Sequence, residues 1–189
     1  TRSYIIAIDN KYELISNFLE QLLHNVKNTD EIILIDDNCN YIDTLKYLEY
    51  RAKKHSQIKL IHLKQKVGFG KANNVGISIA NGESLIFINS DVFLEKNCID
   101  KMLELLWSND QIGAVQPLLV YPQTNKVQST GHVFSDYRSG QLFSMRKIND
   151  PIIRRNGVRQ SLTMALCADK RKVLDQIGGF DEYYYNSHE

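Results

Sequence analysis

The sequence predicts one α/β domain with a mostly parallel central sheet and helices on both faces. Three observations lead there. Strand and helix patterns alternate through the first half of the chain. Three of the strand segments end in polar or acidic groups: Asp9-Asn10, Asp36-Asp37 and Asn89-Ser90-Asp91. Leu85 to Ile88 is a continuous apolar run, which suits a strand covered on both faces.

Tyr4–Ile8 reads as the first strand. Leu14, Ile15, Phe18, Leu19, Leu22, Leu23 and Val26 then form the apolar face of an amphipathic helix. Glu31–Ile35 is the second strand and stops at Asp36-Asp37. A weaker helix follows from Asp43 to Lys54, with Leu45, Leu48 and Ala52 inward. Ile58–Leu63 is a third strand. A glycine-containing loop then opens a helix over Gly68–Ala80, with Ala72, Val75, Ile79 and Ala80 at helical spacing and Asn81-Gly82 as its stop. Leu85–Ile88 is the fourth strand. The next helix spans Lys96 to Trp107, with Ile99, Met102, Leu103 and Leu106 as its buried stripe. Repeated strand–helix–strand units imply right-handed crossovers and therefore a parallel sheet.

Beyond Ile112 the pattern changes. Gly113–Tyr121 reads as one strand. Thr124–Asn156 is polar and turn-rich, and it predicts a hairpin or excursion with a flexible loop near Gly140–Asn156. Ser161–Ala168 is another strand, Asp169–Ile177 a short helix, and Gly178-Gly179-Phe180-Asp181 a turn. On this reading residues 1–112 are a ligand-binding half of the domain and 113–189 the other half.

Bulk properties exclude several classes. The chain has 189 residues, 43% of them hydrophobic, and a formal charge of +1. Such a balance gives no electrostatic footprint for nucleic acid. Clusters at Lys64, Lys66 and Lys71 and at Arg154, Arg155 and Arg159 read as solvated loops or as local contacts with phosphate or an anionic membrane face. Cys39, Cys98 and Cys167 are odd in number and far apart, a pattern that suits a reducing compartment rather than a disulfide framework. No apolar run reaches the length of a membrane span. A cytoplasmic protein is expected, with peripheral attachment at the inner membrane face left to the full-length protein. There is no GxGxxG after the first strand, no GxxxxGK[ST] and no GxSxG. His55, His62, His132 and His188 are scattered.

In a parallel sheet the three polar strand ends gather at one edge, with the glycine loop between them. A fixed carboxylate such as Asp37 accepts the N–H and O–H donors of a base or ribose. A diphosphate needs its charge neutralised, and a hard divalent cation does this with one carboxylate, phosphate oxygens and water. Asp91 would be the direct ligand of Mg²⁺ or Mn²⁺, with Asn89 orienting. Gly68 and Gly70 would let backbone approach the ligand.

The segments ILIDDN, GFGKANNVGISIANGE, LIFINSD and GGFDEYYY, in that order, resemble the family 2 glycosyltransferases of the GT-A fold, and the GFxxANNxG element is most similar to rhamnosyltransferase-like bacterial members. The resemblance implies an inverting enzyme that moves a sugar from a dTDP-, UDP- or GDP-linked donor to a saccharide or lipid-linked acceptor, in bacterial surface polysaccharide synthesis. It implies a nucleotide-sugar-binding set of Asp9, Asp37, Gly68, Lys71, Asn74, Asn89, Ser90 and Asp91, with Asp91 on the metal. Asn89-Ser90-Asp91 resembles the DxD motif with its first Asp replaced, and Asp9-Asn10 stands where a Tyr-Asn pair is usual. The family's general base follows GGFDE in an "ED" pair. Here that base is expected just after Glu189, which makes Glu189 the nearest candidate and implies a domain incomplete at its end. A nucleotide-sugar-binding protein without turnover is the alternative. A sugar-nucleotide pyrophosphorylase ranks last, because Asp9-Asn10-Lys11-Tyr12-Glu13 is not a phosphate loop.

Overall fold

The computed structural model describes residues 1–9 and 12–184. Asn10, Lys11 and the expected catalytic position at Glu189 lie outside the described residues. The chain runs β1 (Arg2–Ile8), α1 (Tyr12–Asn25), β2 (Glu31–Asp36), α2 (Ile42–Lys54), β3 (Ile58–His62), α3 (Phe69–Ile79), β4 (Ser84–Ile88) and α4 (Cys98–Trp107). It continues with β5 (Ala114–Val115), β6 (Leu119–Tyr121), β7 (Lys126–Ser129), β8 (His132–Ser135), β9 (Arg138–Gln141), β10 (Leu166–Lys170) and α5 (Arg171–Ile177).

The main sheet has the order β3-β2-β1-β4-β10-β5. β1 is parallel to both β2 and β4, and β2 is parallel to β3. β10 is antiparallel to β4 and to β5. The expected mostly parallel sheet is therefore present, with one reversed strand inserted. Strand order explains the layering. Moving from β1 out to β3 keeps α1 and α2 on one face, and the return from β3 to β4 puts α3 on the other, because crossovers keep one hand. Alternate residues of β1 divide accordingly: Tyr4, Ile6 and Ile8 pack with α1 and α4, while Ile5 and Ala7 pack toward α3 and α5.

Several predicted elements move. Gly113–Tyr121 is not one strand: β5 ends in the main sheet, β6 pairs with β7, and Gln116-Pro117-Leu118 separates them. Pro117 has no N–H to give a ladder and breaks the run. The strand expected over Ser161–Ala168 begins at Leu166 and runs on to Lys170, while Ser161 makes only an isolated bridge to His132. The helix expected from Asp169 accordingly starts at Arg171. The polar excursion folds as two hairpins, β6–β7 and β8–β9. Gly140–Asn156, expected as a loose loop, returns along β7: Met145 N–H donates to Val127 O at 2.8 Å, Val127 N–H to Arg146 O at 2.9 Å, and Ile153 is buried.

Candidate functional site

In an open α/β sheet the natural crevice lies at the carboxyl ends of the strands where the order reverses. Here the order reverses between β1 and β4. A cavity of about 190 Å³ sits there, lined by Ala7, Ile8 and Asp9 after β1, Asp37 after β2, Lys66 and Phe69 of the glycine loop, and Asn89, Ser90 and Asp91 after β4. The three strand ends singled out in the sequence thus converge on one cavity.

Asp37 is buried at 4% exposure. Its backbone N–H donates to Ile8 O at 3.0 Å, tying β2 to β1 at the cavity floor. Its carboxylate accepts Val67 N–H at 2.7 Å and Gly68 N–H at 3.0 Å. It therefore anchors the loop that opens α3, where Gly68 takes a φ of 89° that disfavours any side chain. Two bonds leave lone pairs of the carboxylate toward the cavity for a ligand donor. The neighbouring Asp36 is spent elsewhere: it accepts Cys39 N–H at 2.8 Å and lies 2.8 Å from His62 Nδ1. Strand alternation sends the two acids to different sides, which is why only the second borders the cavity.

Asn89 continues the sheet by donating its N–H to Ala165 O at 2.9 Å, and Val92 N–H closes a turn on Asn89 O at 3.1 Å. This turn leaves Ser90 buried and Asp91 exposed at the cavity rim. Asp9 pairs with Lys66 across the mouth. Lys66 belongs to the cluster read from the sequence, whereas Phe69 was not singled out; its place one residue after the loop glycine was the available signal.

Lys71 and Asn74 do not line the cavity. Lys71 Nζ is 3.4 Å from Glu182. Asn74 donates to Phe180 O at 2.9 Å and to Glu182 at 3.1 Å, and accepts Phe180 N–H at 2.9 Å. Both hold the Gly178–Glu182 segment against α3, and the Phe180 ring meets Phe69 and Phe87 edge-on at 5.8 and 5.2 Å. The two conspicuous motifs, GFGKANN and GGFDE, are thus clamped to one another.

Among the described residues no group of three or more His, Cys, Asp or Glu side chains could cage a metal. The donor set at Asn89-Ser90-Asp91, one accessible carboxylate beside a neutral amide, fits a hard divalent cation that completes its shell with phosphate oxygens and water. A thiolate nucleophile is not on offer: burial, with Asp36 and Asp9 nearby, pushes the Cys39 thiol up.

A family model described as Glycosyl transferase family 2 matches residues 3–169. The chain is 25% identical over 150 residues to an uncharacterized glycosyltransferase of Haemophilus influenzae, covering 79% of this chain and 45% of that protein. It is 27% identical over 113 residues to the poly-beta-1,6-N-acetyl-D-glucosamine synthase of Staphylococcus epidermidis, covering 60% of this chain and 27% of that protein. Its fold is similar to that of the mannosyltransferase PcManGT from Pyrobaculum calidifontis in complex with GDP-Man and Mn2+: the TM-score is 0.69 at 17% identity, over 96% of this chain and 47% of that one. The chain therefore spans less than half the length of each of these three proteins.

Proposed function

The chain belongs to glycosyl transferase family 2, and from that premise we propose that the cavity between β1 and β4 binds a nucleoside-diphosphate sugar, with Mg²⁺ or Mn²⁺ at Asp91, for transfer to a saccharide or lipid-linked acceptor. The observation that carries this reading is the meeting of Asp9, Asp37 and Asn89-Ser90-Asp91 on one cavity. Asp37 would accept from the base or ribose. Gly68, with no Cβ, would let the loop backbone approach the nucleotide. Lys66 would face the diphosphate once released from Asp9, and Asp91 would hold the cation. When bound, that cation would neutralise charge building on the departing diphosphate.

The reaction would be an in-line displacement with inversion. The acceptor hydroxyl oxygen forms a bond to the anomeric carbon as the bond to the diphosphate oxygen breaks, and the hydroxyl proton passes to a carboxylate. The context would be bacterial surface polysaccharide synthesis, since a relative is a polysaccharide synthase. None of the three cysteines is in a disulfide, which suits the cytoplasmic side of the membrane; no helix among the described residues is long and apolar enough to cross one. The lone carboxylate of Asn89-Ser90-Asp91 favours one second reading, a nucleotide-sugar-binding protein without turnover.

The test is a thermal-shift screen of UDP, dTDP and GDP, each with and without Mn²⁺. A ligand at one hundred times its Kd should stabilise the fold by about 2.7 kcal/mol, and chelation should remove the metal-dependent part. No shift with any of the three overturns the reading. Single-turnover transfer then separates an enzyme from a binding protein.

A further inference from the structure

A second, larger concavity lies on the outer surface of the two helices that cover one face of the sheet. It is an open groove of about 550 Å³ between α1 and α2. Three tyrosines, Tyr12, Tyr47 and Tyr50, share its walls with two carboxylates and two cations. Tyr12 and Tyr50 are 41% and 56% exposed, so part of each ring is accessible to a ligand.

These rings are held, not loose. Tyr12 and Tyr47 meet edge-to-face at 5.4 Å. The Arg51 guanidinium sits 5.7 Å from the Tyr47 ring centre and the Lys54 ammonium 5.8 Å from that of Tyr50. Arg51 is itself pinned by two bonds to Glu20, at 2.5 and 3.3 Å, and the Tyr47 hydroxyl donates to the same carboxylate at 3.1 Å. Arg51 is only 7% exposed, and its Nε–H has no acceptor among the described residues. Burial pushes the Tyr47 phenol up to about 12, so its hydroxyl remains a donor throughout the physiological range.

The charges select the occupant. Glu20 and Asp43 oppose Arg51 and Lys46 in the walls, and with Lys54 over Tyr50 the surface carries at most one excess positive charge, too little to favour a polyanion. Fixed aromatic faces flanked by paired donors and acceptors match a pyranose ring, which has an apolar C–H face and a girdle of hydroxyls that both donate and accept. From Asp43 to Arg51 the groove follows α2 for about 12 Å at 1.5 Å per residue, the span of a disaccharide.

We propose that the α1–α2 groove is a second saccharide site, which takes a neutral glycan of about two pyranose units. The choice of a glycan rests in part on the glycosyltransferase reading above. Tyr12 of the groove follows Asp9 of the reaction cavity by three positions in the chain.

Amide-detected NMR titration of the protein with cellotriose, maltotriose and chitotriose, beside UDP with Mg²⁺, tests this. At least one trisaccharide should give saturable shifts centred on Tyr12, Tyr47 and Tyr50 while Asp37 and Ser90 stay still; UDP should do the converse. Tyr50→Ala, at an exposed site, should weaken the trisaccharide at least tenfold and leave UDP affinity unchanged. The proposal is overturned if none of the three moves the groove, or if Tyr50→Ala binds as the parent does. A silent UDP arm beside trisaccharide shifts in the groove counts against the donor reading and supports the separate site.

Discussion

The carboxylate of Asp37 accepts two amides of the glycine loop and borders the cavity, so one substitution there should report on both stability and binding. Asp37→Ala leaves Val67 and Gly68 N–H without their acceptor and should cost about 1–3 kcal/mol of stability along with nucleotide affinity. Asp91 is exposed and holds no other group by a hydrogen bond or ion pair among the described residues. Asp91→Ala should therefore hold stability within about 0.5 kcal/mol while abolishing the effect of Mn²⁺. Urea unfolding and calorimetry of both variants check the contrast, and a loss of stability at Asp91 or none at Asp37 would reverse the assignments. A different carboxyl governs the pH response. Burial in β10 pushes Asp169 up to about 6 against an unperturbed 3.8, and its Oδ2 has no partner among the described residues. Between these values the folded state binds more protons than the unfolded, so stability is full below about pH 4 and falls as pH rises through about 6. Asp169→Asn should flatten that slope and be the more stable protein at pH 7, by on the order of 3 kcal/mol if the whole shift is recovered. Denaturation midpoints at pH 4, 5, 6 and 7 would show it. Glu31 opposes the trend at the acid end: burial would raise it, but bonds from Lys59, Ser3 and Asn81 hold it at about 2, so its contribution disappears only as pH falls from about 4.5 toward 2.

At the scale of an element, α3 decides where the glycine loop sits. Its Gly76 faces the sheet so closely that an added Cβ would stand 2.4 Å from Ile5 Cγ2 and 3.0 Å from Ile35 Cδ1. Any larger residue must displace the Ile5 side chain or lift the helix, and with it Gly68 and Phe69 near the cavity. Gly76→Ala should destabilise by about 1–3 kcal/mol through overpacking, despite the better helix propensity of alanine. Denaturant unfolding should show a lower midpoint at an unchanged m value; an equal or higher midpoint would mean that the sheet gives way easily. The same helix carries Asn74, whose three bonds hold Gly178–Glu182. The spacing in GFGKANNVG is therefore partly a packing code: its last glycine, Gly76, fits the sheet and its second asparagine, Asn74, receives the later segment.

Over the whole molecule, two kinds of structure differ in what holds them. β1, β2 and β4 are buried on both faces, and their residues include Ile5, Ile33, Ile86 and Phe87 at 0% exposure. The hairpins β6–β7 and β8–β9 have few such anchors, chiefly Leu119 and Val127, while Tyr137 is 94% exposed and Phe134 49%. Opening them exposes little apolar area, so their amides should exchange well before those of the sheet. Hydrogen exchange should find Val133–Gln141 fast and Leu85–Ile88 slow. Equal protection would show that the hairpins unfold only with the domain. Within the excursion, Val127, Met145 and Arg146 should be the slower amides, since the structure pairs them where the composition implied a loose loop.

Alternating apolar patterns determined the first four strands, their helices and the polar strand ends, because burial on a sheet face and helical spacing are local properties of sequence. The position of Asp37 and Asn89-Ser90-Asp91 at the strand ends was legible for the same reason, since a residue just past a parallel strand needs no distant partner to be placed. The second half was not legible in this way. The division of Gly113–Tyr121 between two sheets and the late start of β10 depend on partners far along the chain: Val115 pairs with Ala168, and Leu119 with Ser129. Lys71 and Asn74 read as ligand contacts from their motif, yet tertiary structure gives them to a segment more than a hundred residues later. The α1–α2 groove likewise exists only because two parallel helices, separate in sequence, set their tyrosines side by side. Periodicity reports which face of an element is buried; which element covers it is settled by long-range packing.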